Sequence, residues 1–333
     1  MKIAYLGAGV WGFVLARLLA AKGHEVTSWS IDAALVETLE RTKEHPHVPG
    51  RPVVGKVHFT TDMKEALKGA ELIVESVTAA GCRPVLEAVR SIGIAPGTPL
   101  VFTSKGIEQK SGLILSDVAL SIFGESFRDV IGSLSGPSFA DEVSRSLPTA
   151  VVLASYSQKT AFALAEIFTA PHFRVYPCLD VKGVSFGGSL KNIIAIACGI
   201  SDGLQLGTGA KAALMTRGLH EIVKLAKSQG CKPETLYGLS GMGDLFLTCS
   251  STLSRNFRFG ECLSKGYSPE RAKAEIGQVV EGAYSAIAAQ SLARAHNIPM
   301  PITEAVCAIL EGKIAAAEAV AMLMSRAIKD EAL

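Results

Sequence analysis

Residues 2–13, Lys2-Ile3-Ala4-Tyr5-Leu6-Gly7-Ala8-Gly9-Val10-Trp11-Gly12-Phe13, decide the fold. The apolar run 2–6 has the length of a buried strand, and the glycines that end it fit Gly-x-Gly-x-x-Gly. An amphipathic stretch, 13–21, follows and stops at Gly23. Strand, glycine turn and helix in that order are the context a dinucleotide requires. The first glycine allows a tight turn, the second lets a pyrophosphate approach the backbone, and the third lets helix and strand pack closely. Free amides and the positive end of the helix dipole then face the phosphates. A glycine turn without a ligand is the competing reading, and the flanking elements disfavour it. Gly7, Gly9 and Gly12 are candidate cofactor residues.

Outward from this turn, His24-Glu25-Val26-Thr27-Ser28-Trp29 reads as a second strand, closing on Ser30-Ile31-Asp32. A carboxylate at that tip would bind a ribose 2′-hydroxyl, and a cation would accept a 2′-phosphate. Asp32 lies close but is equally placed to cap a helix from Ala33, and no cation stands there, so NAD and NADP both stay open. Further strands are expected at 56–60, 71–77, 99–103, 129–134, 149–154 and 173–176, with helices near 33–42, 82–92, 112–123 and 158–168. Alternation of this kind builds βαβ units. After about Val181 the strand signals stop. Helical stretches follow at 184–202, 209–229, 255–265, 269–275, 281–296, 302–311 and 315–328. The fold class read from this pattern is α/β: an N-terminal Rossmann-like, doubly wound, mostly parallel sheet, then an all-α C-terminal domain. The expected domains are 1–189 and 190–333.

The 333 residues carry 33 Lys+Arg against 31 Asp+Glu, a near-balance that gives no basic footprint for nucleic acid. Mean hydropathy is +0.31. The uninterrupted apolar run 193–198 is too short to span a bilayer, which needs roughly 20 residues, so no membrane span is expected. The apolar run at the N-terminus is too short for a signal peptide and leads straight into the glycine motif, so the expected compartment is the cytoplasm. The seven cysteines contain no Cys-x-x-Cys pair and read as reduced, mostly buried thiols. His45-Pro46-His47 has no third ligand nearby and reads as a solvated loop, so no metal is expected.

Several polar segments stand out in apolar surroundings. Thr103-Ser104-Lys105-Gly106 and Ser135-Gly136-Pro137-Ser138-Phe139-Ala140 both follow strands, at the sheet edge where open α/β folds bind ligands. Each alone is an ordinary turn; together they point to a site. Lys191-Asn192 lies inside an apolar helical stretch. Lys191 is either a snorkelling surface lysine or a buried one whose lowered pKa suits proton exchange. Asp244, after Gly241-Met242-Gly243, reads most simply as a helix cap. Arg255 and Asn256, after Ser254, are either solvated or a phosphate site built from a guanidinium and helix amides. Glu281, in Gly277-Gln278-Val279-Val280-Glu281-Gly282, reads as an acid at a helix start.

Taken together, Gly-x-Gly-x-Trp-Gly, Ser104-Lys105-Gly106, Ser135 to Ala140, Gly187-Gly188-Ser189-Leu190-Lys191-Asn192, Gly241-Met242-Gly243-Asp244-Leu245, Ser254-Arg255-Asn256 and Gly277 to Gly282 resemble the glycerol-3-phosphate dehydrogenases, most closely the bacterial soluble type. The order and spacing run the whole chain. The resemblance implies reversible reduction of dihydroxyacetone phosphate by NAD(P)H to sn-glycerol 3-phosphate for phospholipid synthesis. It implies Lys191 as proton donor, Asp244 orienting it, and Lys105, Asn192 and Thr248 hydrogen-bonding the substrate. Gly136, Ser138, Ser254, Arg255 and Asn256 match substrate positions. Val10, Trp11, Ile31, Lys105, Ala140, Arg255, Val279 and Glu281 match cofactor positions. At Ile31 many relatives carry His or Arg, and isoleucine cannot pair with a 2′-phosphate. A homodimer is implied. Two other readings share part of the pattern: a 6-phosphogluconate or 3-hydroxyacid dehydrogenase, and a non-catalytic dinucleotide sensor. The segments around Arg255 and Glu281 argue against the first, and the presence of Lys191 with Asp244 argues against the second.

Overall fold

A computed structural model describes residues 1–328, 330 and 331; positions 329, 332 and 333, the end of the expected second domain, lie outside the described residues. The chain forms two compact units, Met1–Lys105 with Leu115–Val184, and Gly106–Ile114 with Ser185–Leu333. The units thus part between Val184 and Ser185, inside one helix, and a nine-residue excursion belongs to the second.

The first unit is built on an eight-stranded sheet: β1 (Lys2–Leu6), β2 (Glu25–Trp29), β3 (Lys56–Thr60), β4 (Leu72–Glu75), β5 (Leu100–Phe102), β6 (Ile131–Ser135), β7 (Thr149–Ser155) and β8 (Phe173–Cys178). Their order is β3-β2-β1-β4-β5-β6-β7-β8, parallel except for the antiparallel β6–β7 pair. Residues 3–6 of β1 are buried, as a central strand covered on both faces must be. β8 buries Phe173 and Val175 while Arg174 and Tyr176 face out, and its Pro177 is tolerated because β8 is an edge. Seven helices flank the strands: α1 (Val10–Ala21), α2 (Ala33–Thr42), α3 (Met63–Leu67), α4 (Ala79–Ile92), α5 (Leu115–Phe123), α6 (Ala140–Ser144) and α7 (Gln158–Phe168). Asp32 does cap α2, accepting from the Leu35 amide at 3.0 Å. The strand order reverses between β1 and β4, so the crevice at their carboxyl ends is the expected ligand position.

The segment expected to be a solvated loop at His45 is not one. His45 is only 3% exposed, with its ring 5.6 Å from that of Phe13, and burial lowers its pKa to about 4. The ring therefore stays neutral and packs as part of the core.

The second unit contains α8 (Val181–Gly203, whose first turn belongs to the first unit), α9 (Gly207–Ser228), α10 (Pro233–Leu236), α11 (Asp244–Cys249), α12 (Arg255–Ser264), α13 (Pro269–Ile276), α14 (Glu281–Ala295), α15 (Pro301–Leu310) and α16 (Ala316–Met324). A π-helical turn, Leu239–Gly243, leads into α11. α8 is long and apolar enough to cross a membrane by length and composition, which the short run 193–198 had not suggested. However, 94% of its most apolar window is buried inside the protein: it is a core helix. Two glycines let a neighbour touch its backbone. A Cβ at Gly199 would lie 1.9 Å from the Phe257 carbonyl oxygen, and one at Gly260 would lie 2.1 Å from that of Ile196. α8 and α12 therefore cross backbone to backbone.

Glu221 of α9 is a buried acid that sequence reasoning missed. Its carboxylate caps α15, accepting from the Ile302 amide at 2.6 Å, the Thr303 amide at 3.2 Å and the Thr303 hydroxyl at 3.1 Å. Burial pushes its pKa up from 4.5 to about 7. Between those values the folded chain keeps a proton that the unfolded chain has released, so stability falls as pH rises through that window. We expect a loss on the order of 3 kcal/mol between pH 5 and 8 in urea unfolding, absent from Glu221→Gln. The same pH slope in both proteins would show that another group titrates.

Candidate active site

In the first unit the glycine turn closes β1 onto α1 under tight constraint. Gly7 has φ +114°, and a Cβ there would stand 2.5 Å from the Ser76 carbonyl oxygen just past β4. A Cβ at Gly12 would lie 2.0 Å from the Gly7 oxygen. Gly9 is the opposite: nothing lies within 4 Å of its added Cβ. The turn is thus packed inward at Gly7 and Gly12 and open outward at Gly9, beside the first-turn amides of Val10 and Trp11. That is the shape a pyrophosphate fits. The Trp11 indole Nε1 is buried without an acceptor among the described residues. Ile31 is 87% exposed and follows the tip of β2.

The floor beside this turn is organised by Glu75, the last residue of β4, fully buried and missed by sequence reasoning. Its Oε1 accepts from the Val77 amide and lies 2.9 Å from the Ser104 hydroxyl, which also reaches the Val77 carbonyl at 2.6 Å. Thr103 donates to the Glu75 carbonyl through both its amide and its hydroxyl. A lone carboxylate inside the apolar run Leu72-Ile73-Val74-Glu75 was the available signal. These bonds hold the 103–105 turn, and Lys105 extends from it to donate to the Gly136 carbonyl at 3.2 Å. Ser138 donates to the same oxygen at 3.1 Å, and Ala140 opens α6. Lys105, Gly136 and Ser138 are therefore brought together.

In the second unit Lys191 is buried, 6% exposed, which settles the choice left open by its sequence context. Its Nζ donates to Asp244 Oδ1 at 2.5 Å and to Thr248 Oγ1 at 2.6 Å. Asp244 has no exposed surface, and it does not cap α11: it is the first residue of that helix and no side-chain cap bond is made there. An unpaired buried charge is costly, so each member requires the other. Thr248 donates back to the Asp244 carbonyl at 2.6 Å, as a threonine in a helix does with the residue four before it, and so presents its lone pairs to the ammonium. The π turn places Asp244: a Cβ at Gly187 of α8 would sit 2.7 Å from the Ser240 oxygen, so the turn lies directly on α8.

One position on, Asn192 accepts from Asn256 Nδ2 at 2.9 Å, and Asn256 Oδ1 accepts from the Gly282 amide at 2.9 Å. Ser254 caps α12 by accepting from the Phe257 amide. Arg255, the next residue, is solvent-exposed and reaches Gln278 at 3.4 Å. Val279 is exposed and Glu281 opens α14, as its sequence context suggested. Among the described residues no group of three or more His, Cys, Asp or Glu side chains could hold a metal ion.

Residues 2–161 match the family model for the NAD-dependent glycerol-3-phosphate dehydrogenase N-terminus, and residues 180–321 match that for its C-terminus. The chain is 57% identical over 332 residues to a glycerol-3-phosphate dehydrogenase (NAD(P)+) of Protochlamydia amoebophila, covering 100% of this chain and 99% of that protein. It is 50% identical over 331 residues to the protein of the same name from Chlamydia muridarum, with 99% of each covered. A crystal structure of glycerol-3-phosphate dehydrogenase from Coxiella burnetii superposes with a TM-score of 0.93 at 39% identity, covering 98% of this chain and 99% of that one. The chain belongs to the NAD-dependent glycerol-3-phosphate dehydrogenase family.

Proposed function

We propose that this chain is an NAD(P)-dependent glycerol-3-phosphate dehydrogenase that interconverts dihydroxyacetone phosphate and sn-glycerol 3-phosphate, with Lys191 as the proton donor. The observation that carries the reading is the buried Lys191–Asp244–Thr248 cluster in a chain whose β1–α1 turn is shaped for a dinucleotide. When bound, the nicotinamide supplies hydride to the carbonyl carbon. The chain's own work is to hold the ketone and deliver a proton to its oxygen. Lys191 is kept at one place by two short bonds, so its ammonium meets the developing alkoxide without reorganising. Asp244 keeps that ammonium aimed, and in the reverse direction Lys191 takes the proton from the hydroxyl. Gly7, Gly9, Val10, Trp11 and Gly12 hold the pyrophosphate; Ala140, Val279 and Glu281 complete the nucleotide site in this reading.

Arg255 is assigned the substrate phosphate, with the first-turn amides of α12, because a guanidinium fork and a helix start both suit phosphate oxygens. Arg255→Ala is expected to raise KM for dihydroxyacetone phosphate about 10- to 100-fold with kcat changed much less. An unchanged KM would move the phosphate elsewhere. On the same reading we infer a cytoplasmic homodimer that feeds glycerophospholipid synthesis.

The test is absorbance at 340 nm with dihydroxyacetone phosphate and either NADH or NADPH. Oxidation of at least one supports the reading, and the ratio of rates reports what Ile31 contributes. A folded protein that binds nucleotide but oxidises neither would sink it in favour of a sensor or another substrate.

A further inference from the structure

We propose that Glu75 is an un-ionised carboxylic acid in the folded protein, and that its proton ties Ser104 to the tip of β4 and so positions the turn carrying Lys105. The state of the acid stands independently of the reaction; its kinetic consequence rests on the function proposed above.

Three groups meet at one point. The Val77 amide donates to Glu75 Oε1 at 2.9 Å, and Ser104 Oγ lies 2.6 Å from the Val77 carbonyl oxygen and 2.9 Å from Glu75 Oε1. Distance alone does not say which oxygen of a hydroxyl–carboxyl pair carries the hydrogen, but the count of hydrogens does. The serine hydroxyl has one. The Val77 carbonyl can only accept, and it is the nearer oxygen, so it takes that hydrogen. The Ser104–Glu75 contact then needs a second hydrogen, and the carboxyl group supplies it. The bonds close a ring in one direction: Val77 N–H to Glu75 Oε1, Glu75 O–H to Ser104 Oγ, and Ser104 O–H to the Val77 carbonyl. With an ionised Glu75, two accepting oxygens would compete for a single hydrogen.

The surroundings favour the neutral form. Glu75 has no exposed surface, and neither do Leu72, Ile73 and Val74 before it in β4. It pairs with Leu6 of β1 on one side and Phe102 of β5 on the other. Apolar burial disfavours a charged carboxyl group. Tyr5 of β1, also without exposed surface, is in electrostatic contact with Glu75; burial pushes its phenol pKa up, so it is neutral as well. Lys105, the cation on the turn, donates to the Gly136 carbonyl. Thr103 bonds the Glu75 backbone and Ser104 its side chain, so Lys105 leaves the sheet directly after two residues fastened to Glu75.

Infrared spectroscopy reads the acid directly, because the C=O stretch of an un-ionised carboxyl group stands clear of the carboxylate and amide bands. At about pH 8.5, above the value of about 7 for Glu221, Glu75→Gln should remove one such band from the spectrum of the parent protein. No loss overturns the proposal. In Ser104→Ala the proton loses its acceptor, so the band should move to higher frequency; an unmoved band overturns the bond to Ser104. That variant decides the matter if Glu75→Gln does not fold.

Kinetics test the positioning role. Glutamine keeps an oxygen for the Val77 amide but carries no hydrogen on it for Ser104. Loss of that bond should lower kcat/KM for dihydroxyacetone phosphate about three- to tenfold. In a Ser104→Ala background the same substitution should cost less than about twofold, because the bond is already gone. An equal cost in both backgrounds, or no cost in the single variant, overturns the positioning role. A parent protein without turnover, whose infrared band still depends on Glu75 and Ser104, would fault the assigned reaction and leave the acid standing.

Discussion

Lys191→Ala is expected to lower kcat about 10²- to 10⁴-fold, the range a positioned general acid supplies, while NADH binding stays within about threefold. Nucleotide binding should survive because the glycine turn lies in the other unit, whose sheet owes nothing to Lys191. The variant carries a second cost. Asp244 has no exposed surface, and removing the ammonium takes the ion-pair partner from a buried charge, which costs about 3–5 kcal/mol of stability. Loss of activity must therefore be separated from loss of fold. The double replacement Lys191→Met with Asp244→Asn removes both charges and should recover most of the melting temperature without recovering turnover. Near-normal turnover in either variant that melts cooperatively would remove Lys191 from its assigned role. Recovery of activity in the double variant would show that the pair serves structure alone.

Gly199→Ala should give the largest stability loss among glycine substitutions in the second unit. Its Cβ would fall 1.9 Å from a backbone oxygen of α12, with no side chain available to swing aside. The two helices must separate, at a cost of about 3 kcal/mol or more, or roughly 6–12 °C in Tm for a unit of this size. Because α12 begins at Arg255 and Asn256, the same shift should raise KM for the phosphorylated substrate. Gly209→Ala is the matched control: it lies within α9 with nothing within 4 Å, and is expected to stabilise by about 0.5–1 kcal/mol. Equal Tm values for Gly199→Ala and the parent protein would contradict the backbone contact.

What was legible in the sequence was what local pattern determines. The glycine turn, the eight strands and most of the longer helices follow from periodicity and from glycine spacing. The helices at Met63–Leu67, Ala140–Ser144 and Pro233–Leu236 span fewer than two turns and carry no period to read. The site was legible residue by residue, but pairing was not. Asp244 looked like a cap because its ion pair lies 53 positions away. Glu75 and Glu221 looked like nothing in particular, since a carboxylate is buried only where distant groups receive it. His45 was misread because its neighbours in sequence are loop-like, whereas its neighbour in space is Phe13.

The excursion Gly106–Ile114 bears on how the chain is made. Ile107 and Ile114, bridged to one another, sit in the hydrophobic core of the second unit, most of which is encoded more than seventy positions later. During synthesis these two isoleucines leave the ribosome long before the rest of that core, which includes residues of α8, α9 and α14. At about 5–20 residues per second the wait is on the order of ten seconds or more. For that interval the first unit carries a greasy loop with nowhere to bury it. A protein truncated near Val184 would carry it permanently, so shortened forms of this chain should self-associate or recruit chaperones unless Ile107 and Ile114 are made polar.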